Sequence, residues 1–186
     1  MQELSLNILD IAENSVKAGA TLISVEVCYC PVADKLTVTI TDDGCGMDAE
    51  TVRRVCAPFY TTRTTRRVGM GLPLWKMAAE MTGGEMTVQS TQGTGTTVTA
   101  TFGMSHIDRL PLGDLPQTMT TLIGGSPEKD FQLVFRYGER QFAVDTREIR
   151  QVLGEEIPLD EPEVLGFIAS QIADGIAECC PEPEKL

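Results

Sequence analysis

The sequence predicts a two-layer α/β sandwich, and its order of elements is the reason. A helix with a polar stripe opens the chain, two pairs of β-rich segments follow, and a second bounded helix lies between the pairs. This order favours packing of the helices on one face of a single sheet. With 186 residues, 42% of them hydrophobic, the chain can form a globular core of ordinary size.

The first helix is predicted from the polar row Glu3, Asn7, Asp10, Asn14 and Lys17. These residues are spaced by four, three, four and three positions, which makes one stripe on a helix. Leucine, isoleucine and valine fill the other faces, so one side is expected to be buried. A stripe of this kind is also typical of an ordinary solvent-facing surface, and its meaning therefore depends on the motifs downstream.

The following elements are predicted from composition and turn residues. Thr21 to Tyr29 and Lys35 to Thr41 are rich in β-branched residues and predict two strands. Asp48 is suited to cap a short helix. Leu72 to Gly83 has a proline in its first turn and a glycine pair at its end, which predicts a bounded helix. The segments EMTVQS and GTTVTATF predict two further strands.

We expect residues 1–103 to form this domain and residues 104–130 to form an irregular connector with one short helix. Residues 131–180 predict a small α+β appendage, namely a hairpin that turns at Gly138 followed by two helices. The apolar hairpin is expected to pack on the open face of the sheet or against a second copy. A homodimer is therefore one hypothesis.

Charge and composition exclude several classes of protein. The formal net charge of −12 argues against nucleic acid as a general partner. No apolar run is long enough for a membrane span and no signal sequence is evident, so we expect a cytoplasmic protein without membrane association. The cysteines form no CxxC pair, which argues against a zinc or iron–sulfur site. One basic run, TTRTTRR, indicates a local anionic ligand.

Three glycine-rich stretches together suggest a nucleotide pocket. In DDGCGM, Asp42 ends a strand, and Gly44 and Gly46 permit a ligand to approach closely. GMGL precedes a helix whose N-terminal amides suit an anion. GTGTT is the third stretch. Each of them, taken alone, is more simply explained as a turn or a hinge.

The order of ENS, DDGCGM, PFYTTR, GMGL and GTGTT resembles that of the Bergerat-fold, or GHKL, ATPases. These include sensor histidine kinases, MutL, type II topoisomerases and the large heat-shock chaperones. AENSVKAGAT with TDDGCGM is similar to MutL, and the stretch from PFYTTR to TATF is closer to the ATPase domain of histidine kinases. The resemblance covers residues 1–103 and implies an ATP-binding fold with a mixed sheet that takes ATP and Mg²⁺.

The resemblance also implies residue roles. Asn14 would coordinate Mg²⁺, Asp42 would accept a hydrogen bond from the adenine amino group, and Asp10 would be the catalytic carboxylate. Further nucleotide contacts would come from Lys17, Gly44, Gly46, Met47, Phe59, Arg63, Gly69, Met70, Gly71, Leu72 and Thr96.

For Asp10 and Arg63 the sequence allows a second interpretation besides the role that the resemblance implies. Asp10 stands where MutL has a water-activating glutamate and histidine kinases usually have asparagine. It would act as a base toward water or a Ser/Thr hydroxyl, or it would only hold a water beside the metal. Arg63 either folds over the γ-phosphate or belongs to a solvated loop.

The sequence leaves two classes of function. A complete sensor kinase is not expected, because the domain begins at residue 1. A MutL-like or topoisomerase-like continuation is not expected either, because residues 104–186 are few and acidic. We expect a stand-alone regulatory kinase or ATPase that acts on a protein partner or phosphoacceptor, resembling the small anti-sigma-factor kinases. The alternative is a non-catalytic nucleotide-sensing module whose lid docks another protein.

Overall fold

The computed structural model describes residues 3–55, 71–154 and 157–181. Within these ranges the helices are α1 (Leu4–Lys17), α2 (Ala49–Val55), α3 (Gly71–Met81), α4 (Leu115–Gly125), α5 (Thr146–Leu153) and α6 (Pro162–Cys179). The strands are β1 (Leu22–Cys30), β2 (Lys35–Asp42), β3 (Met86–Thr91), β4 (Gly95–Gly103), β5 (Asp130–Tyr137) and β6 (Arg140–Asp145). A 3₁₀ turn at Pro31–Ala33 joins β1 to β2.

The strands form one mixed sheet in the order β3-β4-β2-β1-β5-β6. All neighbouring pairs are antiparallel except β1 and β5, which run parallel. The predicted two-layer α/β sandwich with a mixed sheet is confirmed. The register sets Asp42, at the end of β2, opposite Thr96 at the start of β4.

The core lies on one face of the sheet because the strands alternate in burial. In β1, Val25, Val27 and Tyr29 are buried, while the residues between them are partly exposed. Helix α3 covers this face with Trp75, whose ring lies 6.2 Å from that of Phe102 on β4. The opposite face of β2 and β4 carries threonines instead. The alternation follows from the two-residue period of a strand.

The C-terminal hairpin differs from both placements expected from the sequence. Strands β5 and β6 extend the sheet beside β1, rather than packing on its open face or on a second copy. Parallel pairing of β1 and β5 requires a long crossover connection, and the segment from the end of β4 through α4 forms its last part. Residues 104–130 hold one helix, α4, between irregular stretches, as expected. The domain division at residue 103 stays a prediction.

Helix ends follow the capping rules that the sequence indicated. The Asp48 carboxylate accepts a hydrogen bond from the Thr51 amide at 2.7 Å, as predicted for the start of α2. Helix α1 is followed by Gly19 with φ +77°. At its start, the amides of Leu4 and Ser5 donate to carbonyls of residues 111 and 112, so the chain after β4 satisfies two of the free N–H groups of α1.

Candidate functional site

The Asp42 carboxylate is buried at the end of β2 and is held by two donors. The Ser15 hydroxyl on α1 donates to one carboxylate oxygen at 2.6 Å, and the Gly44 amide donates to the other at 2.9 Å. Asp42 is 9% exposed and Ser15 is 4% exposed. Each carboxylate oxygen has a further lone pair, so the fixed carboxylate can accept another hydrogen bond from a ligand.

The glycine loop after Asp42 is closed by contacts on both sides. The Cys45 amide donates to the Ala18 carbonyl at the end of α1, at 2.9 Å. On the other side, the Gly93 amide in the β3–β4 turn donates to the Cys45 carbonyl at 2.7 Å. Gly46 has φ +61°, and a Cβ at this position would lie 2.0 Å from the Thr91 carbonyl oxygen. Only glycine fits there without rearrangement.

The start of β4 completes this group of predicted residues. The Ser90 hydroxyl accepts a hydrogen bond from the Met47 amide at 2.8 Å and lies 2.9 Å from the Thr96 hydroxyl. A Cβ at Gly95 would lie 2.0 Å from the Asp42 carbonyl oxygen, so β4 approaches β2 closely. The structure thus brings together five predicted site residues: Asp42, Gly44, Gly46, Met47 and Thr96.

The polar stripe of α1 meets the N-terminus of α3 at Asp10. A Cβ at Gly71 would lie 1.9 Å from an Asp10 carboxylate oxygen, so the absence of a side chain at Gly71 allows this contact. A carboxylate at a helix N-terminus is electrostatically favourable. Leu72, in the first turn of α3, is half-buried and packs against the core. Asn14 is exposed, one turn along α1 from Asp10.

Lys17, for which the resemblance implies a nucleotide contact, forms an ion pair within α1. Its ammonium group pairs with Glu13 at 2.8 Å, and both side chains are about half exposed. The two residues line a small cleft of about 190 Å³ between α1 and the end of α4. An exposed i,i+4 pair of this kind contributes only about 0.5 kcal/mol, so it does not prevent Lys17 from changing partner.

Asn7 belongs to the same stripe but is buried. It is 2% exposed, its amide nitrogen donates over a long 3.4 Å to the Glu3 carbonyl, and its amide oxygen has no hydrogen-bond partner among the residues that the structure describes. A buried acceptor without a donor costs about 1–3 kcal/mol. The stripe is therefore not simply a solvated surface.

Four predicted site residues, Phe59, Arg63, Gly69 and Met70, lie outside the described residues. In the described ranges no group of three or more His, Cys, Asp or Glu side chains could hold a metal ion. None of the described helices is both long enough and apolar enough to cross a membrane.

Sequence reasoning missed two residues that organise the site. Ser15 follows Asn14 directly in the ENS motif, but only a contact across 27 residues reveals its role. Asp43 accepts hydrogen bonds from the Leu22 amide at 2.9 Å, from the Thr21 hydroxyl and from the Thr21 amide at 2.7 Å. These donors, led by the Leu22 amide, hold the pKa of Asp43 below its usual range. Asp43 thereby ties the glycine loop to the start of β1.

A helix-on-sheet domain that gathers glycine turns around a buried carboxylate has the features of a nucleotide-binding module. Residues 1–106 match the family described as histidine kinase-, DNA gyrase B-, and HSP90-like ATPase. Since this match covers more than half of the chain, the protein belongs to that family of ATP-binding domains.

Several curated proteins are similar to this chain over the same region. A putative sensor protein of Shewanella frigidimarina is 33% identical over 109 residues, which are 58% of this chain and 17% of that protein. The heme sensor protein HssS of Staphylococcus saprophyticus is 37% identical over 94 residues, or 50% and 20% of the two chains. The non-motile and phage-resistance protein of Caulobacter vibrioides is 33% identical over 111 residues, or 55% and 13%. The chain thus spans a fifth or less of these relatives.

The fold is also similar to a solved structure. The N-terminal domain of a DNA repair protein superposes with a TM-score of 0.53 at 13% sequence identity, over 83% of this chain and 58% of that one. At this identity the likeness concerns the fold alone.

Proposed function

We propose that this chain binds Mg·ATP between α1, the glycine loop and the start of α3, and acts as a regulatory kinase or ATPase on a protein partner. The observation that carries the proposal is the contact between Asp10 and Gly71. This contact sets the Asp10 carboxylate at the N-terminus of α3. A helix N-terminus is a favoured position for phosphate groups, so bound phosphates would lie beside Asp10. A carboxylate beside phosphates can orient or deprotonate an attacking hydroxyl or water.

The base of the proposed site would be Asp42. Because the Ser15 hydroxyl and the Gly44 amide already occupy one position on each oxygen, the carboxylate is held in place. One further acceptor position on each oxygen remains for the adenine amino group. Gly46 and Met47 would lie along the adenine ring. Thr96 would act indirectly, because its hydroxyl lies beside the Ser90 hydroxyl that accepts a hydrogen bond from the Met47 amide. A fixed acceptor favours a purine with an amino group over one with a carbonyl at the same position.

The side-chain oxygens of Asn14 and Asp10 are of the kind that binds magnesium. Mg²⁺ prefers oxygen ligands and is usually held by one or two protein groups together with substrate phosphates. The exposed Asn14 amide oxygen, with Asp10 nearby on the same stripe, fits that requirement. When bound, the ion would neutralise charge on the phosphates, which offsets their repulsion by Asp10.

A nucleotide-sensing module without turnover is the second candidate. The Lys17–Glu13 ion pair favours it, because a lysine held away from the nucleotide contributes no charge to phosphate transfer. The pair is exposed and weak, so we retain the kinase or ATPase as the main proposal. A homodimer remains a hypothesis, which sedimentation velocity with and without ATP would test.

The experiment uses ATP labelled at the γ-phosphate, with magnesium, and measures nucleotide affinity, phosphate release and label transfer to candidate partners. We expect Asp42→Asn to weaken ATP binding by about tenfold or more, the loss of one charge-assisted hydrogen bond. We expect Asp10→Asn to keep ATP affinity and lose turnover by about a hundredfold, a usual size for a general base. Asp174→Asn, an exposed site on α6, is the matched control.

The outcomes separate the candidates. ATP binding with no turnover in the wild-type chain, with or without partners, would favour the sensing module. Turnover that is unchanged in Asp10→Asn would remove the role of Asp10. If the folded chain does not bind ATP at millimolar concentration, both candidates fail.

A further inference from the structure

An apolar groove of about 690 Å³ lies between α5 and the N-terminal half of α6, away from the motifs of the nucleotide site. Its apolar wall includes Ile149, Val152, Leu153, Ile157, Val164 and Phe167. Three of these large side chains are strongly exposed: Val152 by 87%, Phe167 by 56% and Ile157 by 45%. Exposed apolar residues that occur singly are ordinary, but a contiguous set in a concave surface is typical of a binding site.

The groove exists because α5 is a short amphipathic helix that is covered on one side only. Ile149 and Leu153 are partly buried and pack against the core, whereas Val152, on the same apolar side, remains exposed. Helix α6 is anchored through buried Val164 and Ile168, and Phe167 between them faces away from the core. The two helices therefore present apolar side chains toward a space that no described residue fills.

The charged residues at the groove are acidic. Glu148, Glu161 and Glu163 line it, and no lysine or arginine is found among the described residues that line it. The two arginines of α5 are bound elsewhere: Arg147 pairs with Asp145, and Arg150 pairs with Asp130 at 3.0 Å. Arg147 also lies close enough to Glu148 to interact with it electrostatically. Glu161 and Glu163, at the start of α6, therefore carry most of the negative potential at the mouth of the groove.

We propose that this groove binds an amphipathic helix of another protein, with its apolar face between α5 and α6 and with lysine or arginine side chains opposite the glutamates. A groove between two helices suits apolar residues spaced by three and four positions. Charge complementarity selects this occupant. A second copy of the chain in a symmetric contact would oppose glutamates to glutamates, and an anionic lipid surface would be repelled.

The first test is a selection of displayed random 16-residue peptides on the wild-type chain, followed by counter-selection on Phe167→Ser. We expect enriched sequences to share apolar residues at helical spacing and basic flanks. Two synthetic peptides then isolate the contribution of charge to affinity. Both have leucines at positions i, i+3, i+4 and i+7, but one has lysines at its flanks and the other has glutamates. We expect the lysine peptide to bind at least tenfold more tightly by fluorescence anisotropy, with a difference that shrinks at high salt.

Matched variants separate the groove from the rest of the surface. Phe167→Ser should weaken the lysine peptide at least tenfold, whereas Met77→Ser, which removes an equally exposed apolar residue on α3, should not. Glu161→Lys with Glu163→Lys should weaken the lysine peptide and strengthen the glutamate peptide. All these positions are exposed, so thermal unfolding should show folded proteins.

The proposal is overturned if no peptide is enriched or if the lysine and glutamate peptides bind with equal affinity. It is also overturned if Met77→Ser weakens binding of the lysine peptide as much as Phe167→Ser does. It is equally overturned if the wild-type chain forms a dimer that Phe167→Ser dissociates, or if it binds phosphatidylglycerol vesicles through this groove. None of these measurements requires ATP, so they do not depend on the proposed nucleotide function.

Discussion

Replacing Ser15 by alanine removes one of the two donors that hold the Asp42 carboxylate. The hydrogen bond is 2.6 Å long, and both residues are buried. A hydrogen bond to a charged group contributes about 1.5–3 kcal/mol to stability. Alanine is the better helix former by about 0.5 kcal/mol, which offsets part of the loss. We therefore expect the free energy of unfolding to fall by about 1–2.5 kcal/mol.

Urea titrations at pH 7 measure this change, and Ser5→Ala is the control. Ser5 is also buried on α1, but its hydroxyl donates at 3.0 Å to Glu3, which is only partly buried. In a double-mutant cycle, Ser15→Ala should cost less in an Asp42→Asn background, because the charge that it stabilises is gone. Calorimetry on Ser15→Ala should show the Kd for ATP raised about two- to tenfold, because the less restrained Asp42 side chain must be ordered when ATP binds.

Two results would refute this reasoning. The first is a loss of stability in Ser15→Ala that is no larger than in Ser5→Ala. The second is a coupling energy near zero between Ser15 and Asp42. Either result would mean that the carboxylate is held mainly by the Gly44 amide, and that α1 contributes little to its orientation.

The close approach at Gly46 predicts that Gly46→Ala lowers the free energy of unfolding by more than about 2 kcal/mol. Gly93→Ala, with a similar φ of +78° and open space at the Cβ, should cost only about 1 kcal/mol. Denaturant titrations measure both, and equal costs would contradict the steric argument. Asp43, whose pKa is lowered in the folded chain, contributes stability that is present above about pH 4 and is lost as the pH falls through its lowered pKa. The stability difference between wild type and Asp43→Asn should therefore shrink below pH 4, and a difference that is independent of pH would contradict this.

Local patterns in the sequence were sufficient for most elements. The periodicity of α1, the alternation of β1 and β2 and the glycine-terminated helix α3 were all predicted within a few residues. The strand that ends at Asp42 and the glycine loop after it were also predicted from the sequence. These features depend on residues close in sequence or on turn residues with restricted geometry.

The features that were missed depend on contacts between distant residues. Pairing of β5 with β1 joins segments about a hundred residues apart, and no local period encodes which strand becomes the neighbour. The same holds for Ser15 and Asp42. The Lys17–Glu13 pair is different, because its i,i+4 spacing is visible in the sequence, and the nucleotide contact of Lys17 stays a prediction.

Pairing of β1 with β5 also has a consequence for shortened chains. Eight residues of β1, Leu22 to Tyr29, are in register with β5, so a protein ended at residue 103 would leave that side of β1 without backbone partners. An uncovered strand with apolar alternate residues is a template for intermolecular strand addition. Poor solubility and protease sensitivity of such a fragment would then originate from a bare sheet edge and not from a defect in the nucleotide pocket.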